Sequence, residues 1–213
     1  MSHSTPDPVN RVVTRYERLA HDYDRQWRSY TQRSLNRLLG VLTLTGTERV
    51  LDLGCGTGEF ERLAIERFPR LTIVGVDVTP AMAAAARAKL QQFPNIEVRV
   101  SPVEALPFGA EEFDVVVSAS MLHHLSDVRL VLQEALRVLR PGGQLALLDW
   151  CRDFWRCRLL HAWLRLVDPT YGRMYRLGEL CALLEQHGLL IQSADRFVVP
   201  PGYGLLCVKG LKR

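Results

Sequence analysis

A run of strand-forming residues ending on an acid, Arg49-Val50-Leu51-Asp52-Leu53, passes at once into Gly54-Cys55-Gly56-Thr57-Gly58 and then into a helical pattern from about Gly58 to Phe68. No other feature narrows the choice of folds as much. A strand that turns on glycines into a helix begins a βαβ crossover, and crossovers of this kind imply a parallel sheet with helices on both faces. The glycines permit positive φ and bring main-chain N–H groups close to a ligand.

The following residues repeat the unit. Thr72 to Asp77 reads as a second strand, and an alanine-rich helix runs from Pro80, suited to a first helical turn, to about Leu90. Glu97 to Val100 is a third strand, and the nearly continuous apolar run Phe113 to Ser118 fits a strand buried on both faces. Val128, Val131, Leu132, Ala135, Leu136 and Leu139 repeat at helical spacing until Arg140-Pro141-Gly142-Gly143 stops the helix, and Gln144 to Asp149 supplies a fifth strand. Leu189 to Val199 and Tyr203 to Val208, joined by Pro200-Pro201-Gly202, form a closing antiparallel hairpin. The expected fold is α/β: a doubly wound, mostly parallel seven-stranded sheet. Residues 1–213 read as a single domain, with an N-terminal helical cap at 9–42, a core at 43–150, a second helical cap at 151–177 and a closing helix and hairpin at 178–213.

Composition supports a soluble globular chain: 47% of the 213 residues are hydrophobic, 23% are charged and the net charge is +4. Disordered, collagenous and membrane classes are excluded. The five cysteines form no C-x-x-C pair and no zinc spacing, which fits a reducing, cytoplasmic location and no metal. Met1 to Asn10 lacks the apolar core of a leader and reads as a frayed tail. Charge is divided along the chain. Residues 41–150 carry 10 basic and 14 acidic side chains, residues 9–40 carry 7 and 3, and residues 151–176 carry 6 and 2. An acidic base therefore lies under two basic covers, a balance that suits a cationic cofactor below and an anionic or lipid-surface partner above.

In open α/β sheets ligands bind beyond the carboxyl ends of the strands. There the sequence places Asp52, the glycine loop, Asp77, Glu104, Ser118 and Asp149. A dinucleotide site wants a third glycine where this chain has Glu59, whose carboxylate repels phosphate. Asp52 adds a second negative charge, so the loop suits a nucleoside ligand bearing positive charge. S-adenosyl-L-methionine, with its sulfonium and ammonium, is such a ligand.

Val50 to Gly58 resembles the first motif of class I S-adenosylmethionine-dependent methyltransferases. Asp77 matches the ribose-binding acid of that family. Glu104 to Phe108, Phe113 to Ser118, Leu122-His123-His124-Leu125 and Leu139 to Gly143 resemble later motifs of its small-molecule branch, which includes ubiquinone/menaquinone C-methyltransferases. The resemblance implies that Gly54, Cys55 and Gly56 face the methionine portion, that Val78 and Met82 face the adenine, and that Val103 and Glu104 line its edge. Tyr16 to Asp24 is similar to an N-terminal segment of the family whose second tyrosine, here Tyr23, closes over the cofactor. Pro102 departs from the family pattern, which has an aspartate there for the adenine amino group.

Methyl transfer displaces an already activated carbon, so alignment and exclusion of water supply much of the rate. His123 or His124, just beyond the fourth strand, suits a general base, and Asp149 ends the fifth strand where substrate is expected. The caps contribute Trp27, Trp150, Trp155, Trp163, Tyr171 and Tyr175 as walls of a hydrophobic acceptor pocket, with Arg152 or Arg156 for an anionic group. The same residue types also serve as core and rim. The basic amphipathic stripe from Trp155 to Leu166 suits transient contact with a membrane surface. No nucleic-acid module is appended, and Ser118-Ala119-Ser120-Met121 stands where base-modifying enzymes carry N/D-P-P-Y/F. The expected activity is methyl transfer to a small-molecule acceptor, a quinol or other aromatic, lipophilic compound. The alternatives are an anionic amine, thiol or acid as acceptor, a binding protein without turnover, or a nicotinamide oxidoreductase.

Overall fold

The computed structural model describes residues 8–125 and 127–213. Its sheet is built from β1 (Arg49–Leu53), β2 (Thr72–Asp77), β3 (Ile96–Val100), β4 (Phe113–Ala119), β5 (Leu139–Trp150), β6 (Leu189–Val199) and β7 (Tyr203–Lys212), in the order β3-β2-β1-β4-β5-β7-β6. β1 to β5 are parallel, and β7 runs antiparallel to both β5 and β6. This is the doubly wound Rossmann-like sheet that the strand–glycine–helix order predicts.

Alternate residues of each strand face opposite sides. Leu51 and Leu53, Val74 and Val76, and Leu145 and Leu147 enter one core, beneath α5 (Val128–Val138), α7 (Leu177–Gln186) and the loop residues Val103, Leu106 and Phe108. Val50, Ile73, Val115, Val117, Ala146 and Leu148 enter the other, beneath α2 (Tyr23–Val41) and α3 (Glu59–Arg67). α4 (Pro80–Leu90) packs its alanines against Cys55 and Val98. Burial on both faces explains why the central strands read as continuous apolar runs.

The structure adjusts several expected boundaries. The N-terminal cap is two helices, α1 (Pro8–Leu19) and α2, so helix already begins within the segment expected to fray, while residues 1–7 lie outside the described residues. β5 begins at Leu139, paired with Phe113, before a register shift carries the pairing to Val115 and Gln144. Arg140 to Gly143 bulge from the strand there, and Gly142 supplies the positive φ of +73°. In the second cap, α6 (Trp155–Val167) buries Cys157, His161 and Leu164. Trp155 and Trp163, expected as walls of an acceptor pocket, point away from the core instead, 62% and 57% exposed.

Strand order reverses between β1 and β4, which opens a crevice at their carboxyl ends. α1, α2 and the residues after β4 close over it.

Candidate active site

The glycine loop is shaped by three positive φ angles, +76° at Gly54, +55° at Gly56 and +79° at Gly58. A side chain at Gly54 would strike Met121, 2.7 Å away, whereas one at Gly56 would meet nothing within 4 Å. Gly56 therefore faces open space. The N–H groups of Gly54 and Cys55 donate to Val76 O at 2.8 and 3.0 Å, which ties the loop to β2. Asp77 completes the tie: Oδ2 accepts from Gly56 N at 2.9 Å and Oδ1 from Thr79 N at 2.8 Å, so one carboxylate holds the loop and the start of α4. Burial raises its pKa, and these two backbone donors oppose the rise.

Above the loop lies an open cavity. It brings together Tyr23, Gly54, Gly56, Asp77, Val78, Met82, Val103, Glu104 and His124 from the residues singled out in the sequence, and adds Tyr16, Ser120 and Met121. Asp52 and Cys55 lie deeper, on a second recess beneath the loop. Ser118 does not reach either space. Its side chain is fully buried, and Oγ donates to Leu53 O at 3.0 Å, fastening β4 to β1.

Asp52 has an unexpected neighbour in Glu61 of α3. Both are buried, at 2% and 0% exposure, and Asp52 Oδ1 and both Glu61 oxygens have no hydrogen-bond partner among the described residues. Burial raises both pKa values. The charge of Glu61 pushes Asp52 further up, while Lys89 works against the rise at Glu61, which ends at about 7. Negative charge at this position is therefore partly suppressed by protonation. Glu59 is also compensated, by Arg62 at 2.7 Å and Lys89 at 3.5 Å, so its repulsion of phosphate is weaker than the sequence alone implies. Glu61 occupies a position on the same inward stripe as Phe60, Ala64 and Ile65. An acid on an apolar stripe was the signal available in the sequence.

A second cavity adjoins the first and shares Tyr16, Tyr23, Ser120 and His124 with it. Its walls include Trp27, Tyr30, His123, Trp150 and Tyr171. His123 sits in a 3₁₀ turn, Leu122–His124, just after β4. Its Nδ1 lies 2.7 Å from Asp149 Oδ1, its N–H donates to Asp149 Oδ2 at 3.2 Å, and its ring stacks on Trp150. Nδ1–H donates to the carboxylate, which leaves Nε2 as the acceptor. His124 is held differently. Thr170 O only accepts, so Nδ1, at 3.0 Å, carries the proton, and Nε2 accepts from Tyr16 O–H at 2.7 Å. Burial lowers the His124 pKa to about 3.

Tyr30 joins the cavities from behind. Its hydroxyl is 2.7 Å from Ser120 Oγ and accepts from Trp150 Nε1 at 3.1 Å. Ser120 itself has φ of +57° and donates its N–H to Leu148 O at 2.8 Å, so the chain turns sharply where β4 leaves the sheet. Neither residue has a sequence signature, because their meeting depends on α2 crossing the sheet edge.

Several residues expected at the acceptor do not reach this cavity. Arg152 is held by Glu179 at 2.7 and 3.0 Å, a pair that fixes the start of α7. Tyr175 forms an isolated bridge with Cys151 and packs on the α7 side of the sheet. Trp155 is on the outer face of α6. Nor does the structure bring Trp163 into the cavity; it lines a separate groove between α1 and α6. Among the described residues no cluster of His, Cys, Asp and Glu could hold a metal.

The residues fit S-adenosylmethionine. An open glycine cradle, an acid at the end of β2 and an apolar slot of Val78, Met82 and Val103 match a nucleoside ligand. Residues 51–147 match the model of a methyltransferase domain family. The chain is 32% identical over 210 residues to a demethylmenaquinone methyltransferase of Tropheryma whipplei, covering 88% of this chain and 84% of that one. It is 30% identical to a ubiquinone/menaquinone biosynthesis C-methyltransferase of Syntrophotalea carbinolica, covering 84% and 83%. Its fold superposes on a methyltransferase of Thermotoga maritima with a TM-score of 0.76 at 22% identity, over 93% and 98% of the two chains. The chain belongs to the S-adenosylmethionine-dependent methyltransferases, in the small-molecule branch that includes the demethylmenaquinone methyltransferases.

Proposed function

We propose that this methyltransferase acts on an aromatic, lipophilic acceptor of the quinol type, held between Tyr23, Trp27, Trp150 and Tyr171, with His123 as general base oriented by Asp149. The observation that carries this reading is His123, which Asp149 orients and which lines an aromatic-walled cavity adjoining the cavity above the glycine loop. The names of the curated relatives support the same acceptor class.

Gly54, Gly56 and Cys55 hold the methionine portion of the cofactor in this account, Asp52 attracts its ammonium, Asp77 accepts from the ribose hydroxyls, and Val78, Met82, Val103 and Glu104 enclose the adenine. When bound, the cofactor would supply an electrophilic methyl group on a sulfonium, with S-adenosyl-L-homocysteine as the leaving group. The chain contributes position and proton removal. Nε2 of His123 takes a hydroxyl proton from the acceptor, which makes the adjacent ring carbon nucleophilic, and Asp149 stabilises the resulting imidazolium; once that carbon carries the methyl group it loses its ring proton and the oxygen regains one, so that one proton is released to solvent per turnover. Tyr23, at the junction of both cavities, excludes water from the line between methyl and acceptor. Contact with a membrane surface belongs to this reading, since a lipophilic acceptor resides there.

An anionic acceptor fits less well. Among the described residues Arg15 is the one guanidinium on the acceptor cavity, and it is paired with Asp168. The test is incubation with S-adenosylmethionine and either a short-chain demethylated naphthoquinol or small carboxylates, thiols and amines, with products read by mass. Methylation of the quinol at carbon supports the reading; methylation confined to the anionic set overturns it.

A further inference from the structure

α6 presents an apolar face to solvent. Trp155, Leu159, Trp163, Leu166 and Val167 are each more than half exposed. At about 100° per residue, Trp155, Leu159, Ala162, Trp163 and Leu166 fall within an arc of roughly 100°. Arg158 and Arg165 follow one border of that arc and Arg156 follows the other. The helix contains no acid along its 13 residues. The acids flanking it are both occupied, Asp153 by Arg196 and Asp168 by Arg15. Across a groove, α1 adds Arg11 and Arg18, and neither these two nor Arg156, Arg158 and Arg165 form an ion pair among the described residues.

Exposed apolar patches of this kind mark interaction surfaces. The border selects the partner. A helix with tryptophan and leucine on one face and unpaired arginines at its edges matches the interface of an anionic bilayer, where indole and leucine enter the acyl boundary and guanidinium groups meet phosphates. A protein partner offers no comparable reason for a border of one sign without acids. The helix is too short to cross a membrane, and no helix among the described residues is long and apolar enough to do so.

The groove beside this face leads inward. It shares Arg15, Leu19, Leu164 and Asp168 with the acceptor cavity, so the Arg15–Asp168 ion pair stands between the surface and His123. The geometry points to α6, with the arginines of α1, as a surface that docks on anionic lipid bilayers and places this groove against the membrane. Delivery of a lipophilic acceptor through the groove rests on the function proposed above; the docking itself rests on α6 and α1 alone.

Flotation of the full chain with vesicles of phosphatidylcholine, with and without phosphatidylglycerol, tests the docking separately from any acceptor. The protein is expected to float with anionic vesicles at low salt, at least tenfold more tightly than with neutral ones, and brominated lipid is expected to quench its tryptophan fluorescence. Leu159→Glu/Leu166→Glu is expected to lose at least tenfold in vesicle affinity while S-adenosylhomocysteine affinity, read by calorimetry, stays unchanged. A milder Leu166→Ser variant gives the same direction if the double variant fails to fold. Absence of vesicle binding, binding that survives these substitutions, or a stable dimer that they dissociate without any vesicle binding overturns the proposal. Loss of quinol turnover with vesicle binding intact would instead count against the acceptor.

Discussion

The imidazole of His123 lies parallel to the indole of Trp150, with ring centroids 4.6 Å apart and planes within 3°. Stacking fixes the plane of the ring, and the bond from Nδ1 to Asp149 fixes its rotation within that plane. Nε2 is thereby aimed without freedom to turn away. His123→Asn should lower kcat by about 10²–10⁴-fold, the range for removal of a positioned base. Cofactor affinity should change little. Asp149→Asn should lower kcat in the same direction, because an amide can donate to Nδ1 and favour the opposite tautomer. Steady-state kinetics with parallel calorimetry check both, and a kcat within threefold of the parent in His123→Asn would remove the base assignment.

Asp77 joins the glycine loop, α4 and the cavity through one carboxylate. Asp77→Ala should weaken S-adenosylmethionine binding by about 1.5–3 kcal/mol, as expected for loss of charge-assisted hydrogen bonds. It should also lower thermal stability, since Gly56 and Thr79 each lose an acceptor. Asp77→Asn separates the effects, because its carbonyl oxygen retains one of the two backbone bonds. Unchanged cofactor affinity in both variants would exclude Asp77 from the ribose site.

Glu61 gives the stability a pH dependence of known sign. Its pKa is raised from 4.5 to about 7 in the folded chain, so the native state holds more protons than the unfolded state between these values. Stability contributed by this group therefore falls as pH rises from about 4.5 through 7. Glu61→Gln should remove that decline and stabilise the protein at pH 8 by roughly 1–3 kcal/mol, the scale of a pKa shift of this kind. Urea unfolding of both proteins at pH 5 and pH 8 checks it. Equal destabilisation by Glu61→Gln at both pH values would show that the carboxyl is not a buried acid.

Tyr16 donates to His124 Nε2 within the wall between the two cavities. Tyr16→Phe leaves that acceptor without its partner, at a cost of about 1–3 kcal/mol for a buried polar group. The cost should appear as a lower unfolding midpoint in urea. His124, whose pKa is lowered to about 3, should stay neutral across the working range, so no activity transition should follow its titration.

The sheet was legible because its signals are local. Arg49 to Gly58 carries strand, turn and helix start within ten residues, and Val115 to Val117 announces a strand buried on both sides. The candidate site was legible where a residue lies at a strand end: Asp77 is the last residue of β2 and Asp149 the last but one of β5. Pairing between distant segments was not. His123 and Asp149 meet because β4 and β5 are parallel neighbours, with Ala119 opposite Leu148. α6 shows the limit most clearly: its periodicity separates two faces, but the narrow stripe of Cys157, His161 and Leu164 is buried while the broader tryptophan–leucine face is not. Amphipathic spacing finds a helix and leaves open which side the tertiary structure covers.

The most direct test of the acceptor assignment is turnover with S-adenosylmethionine carrying a trideuterated methyl group and a reduced short-chain demethylated naphthoquinone. The account predicts a product heavier by one trideuteromethyl group in place of a ring hydrogen, formed by the parent protein and lost in His123→Asn. Micromolar binding of S-adenosylmethionine with no labelled quinol would contradict it and assign the aromatic cavity to another acceptor.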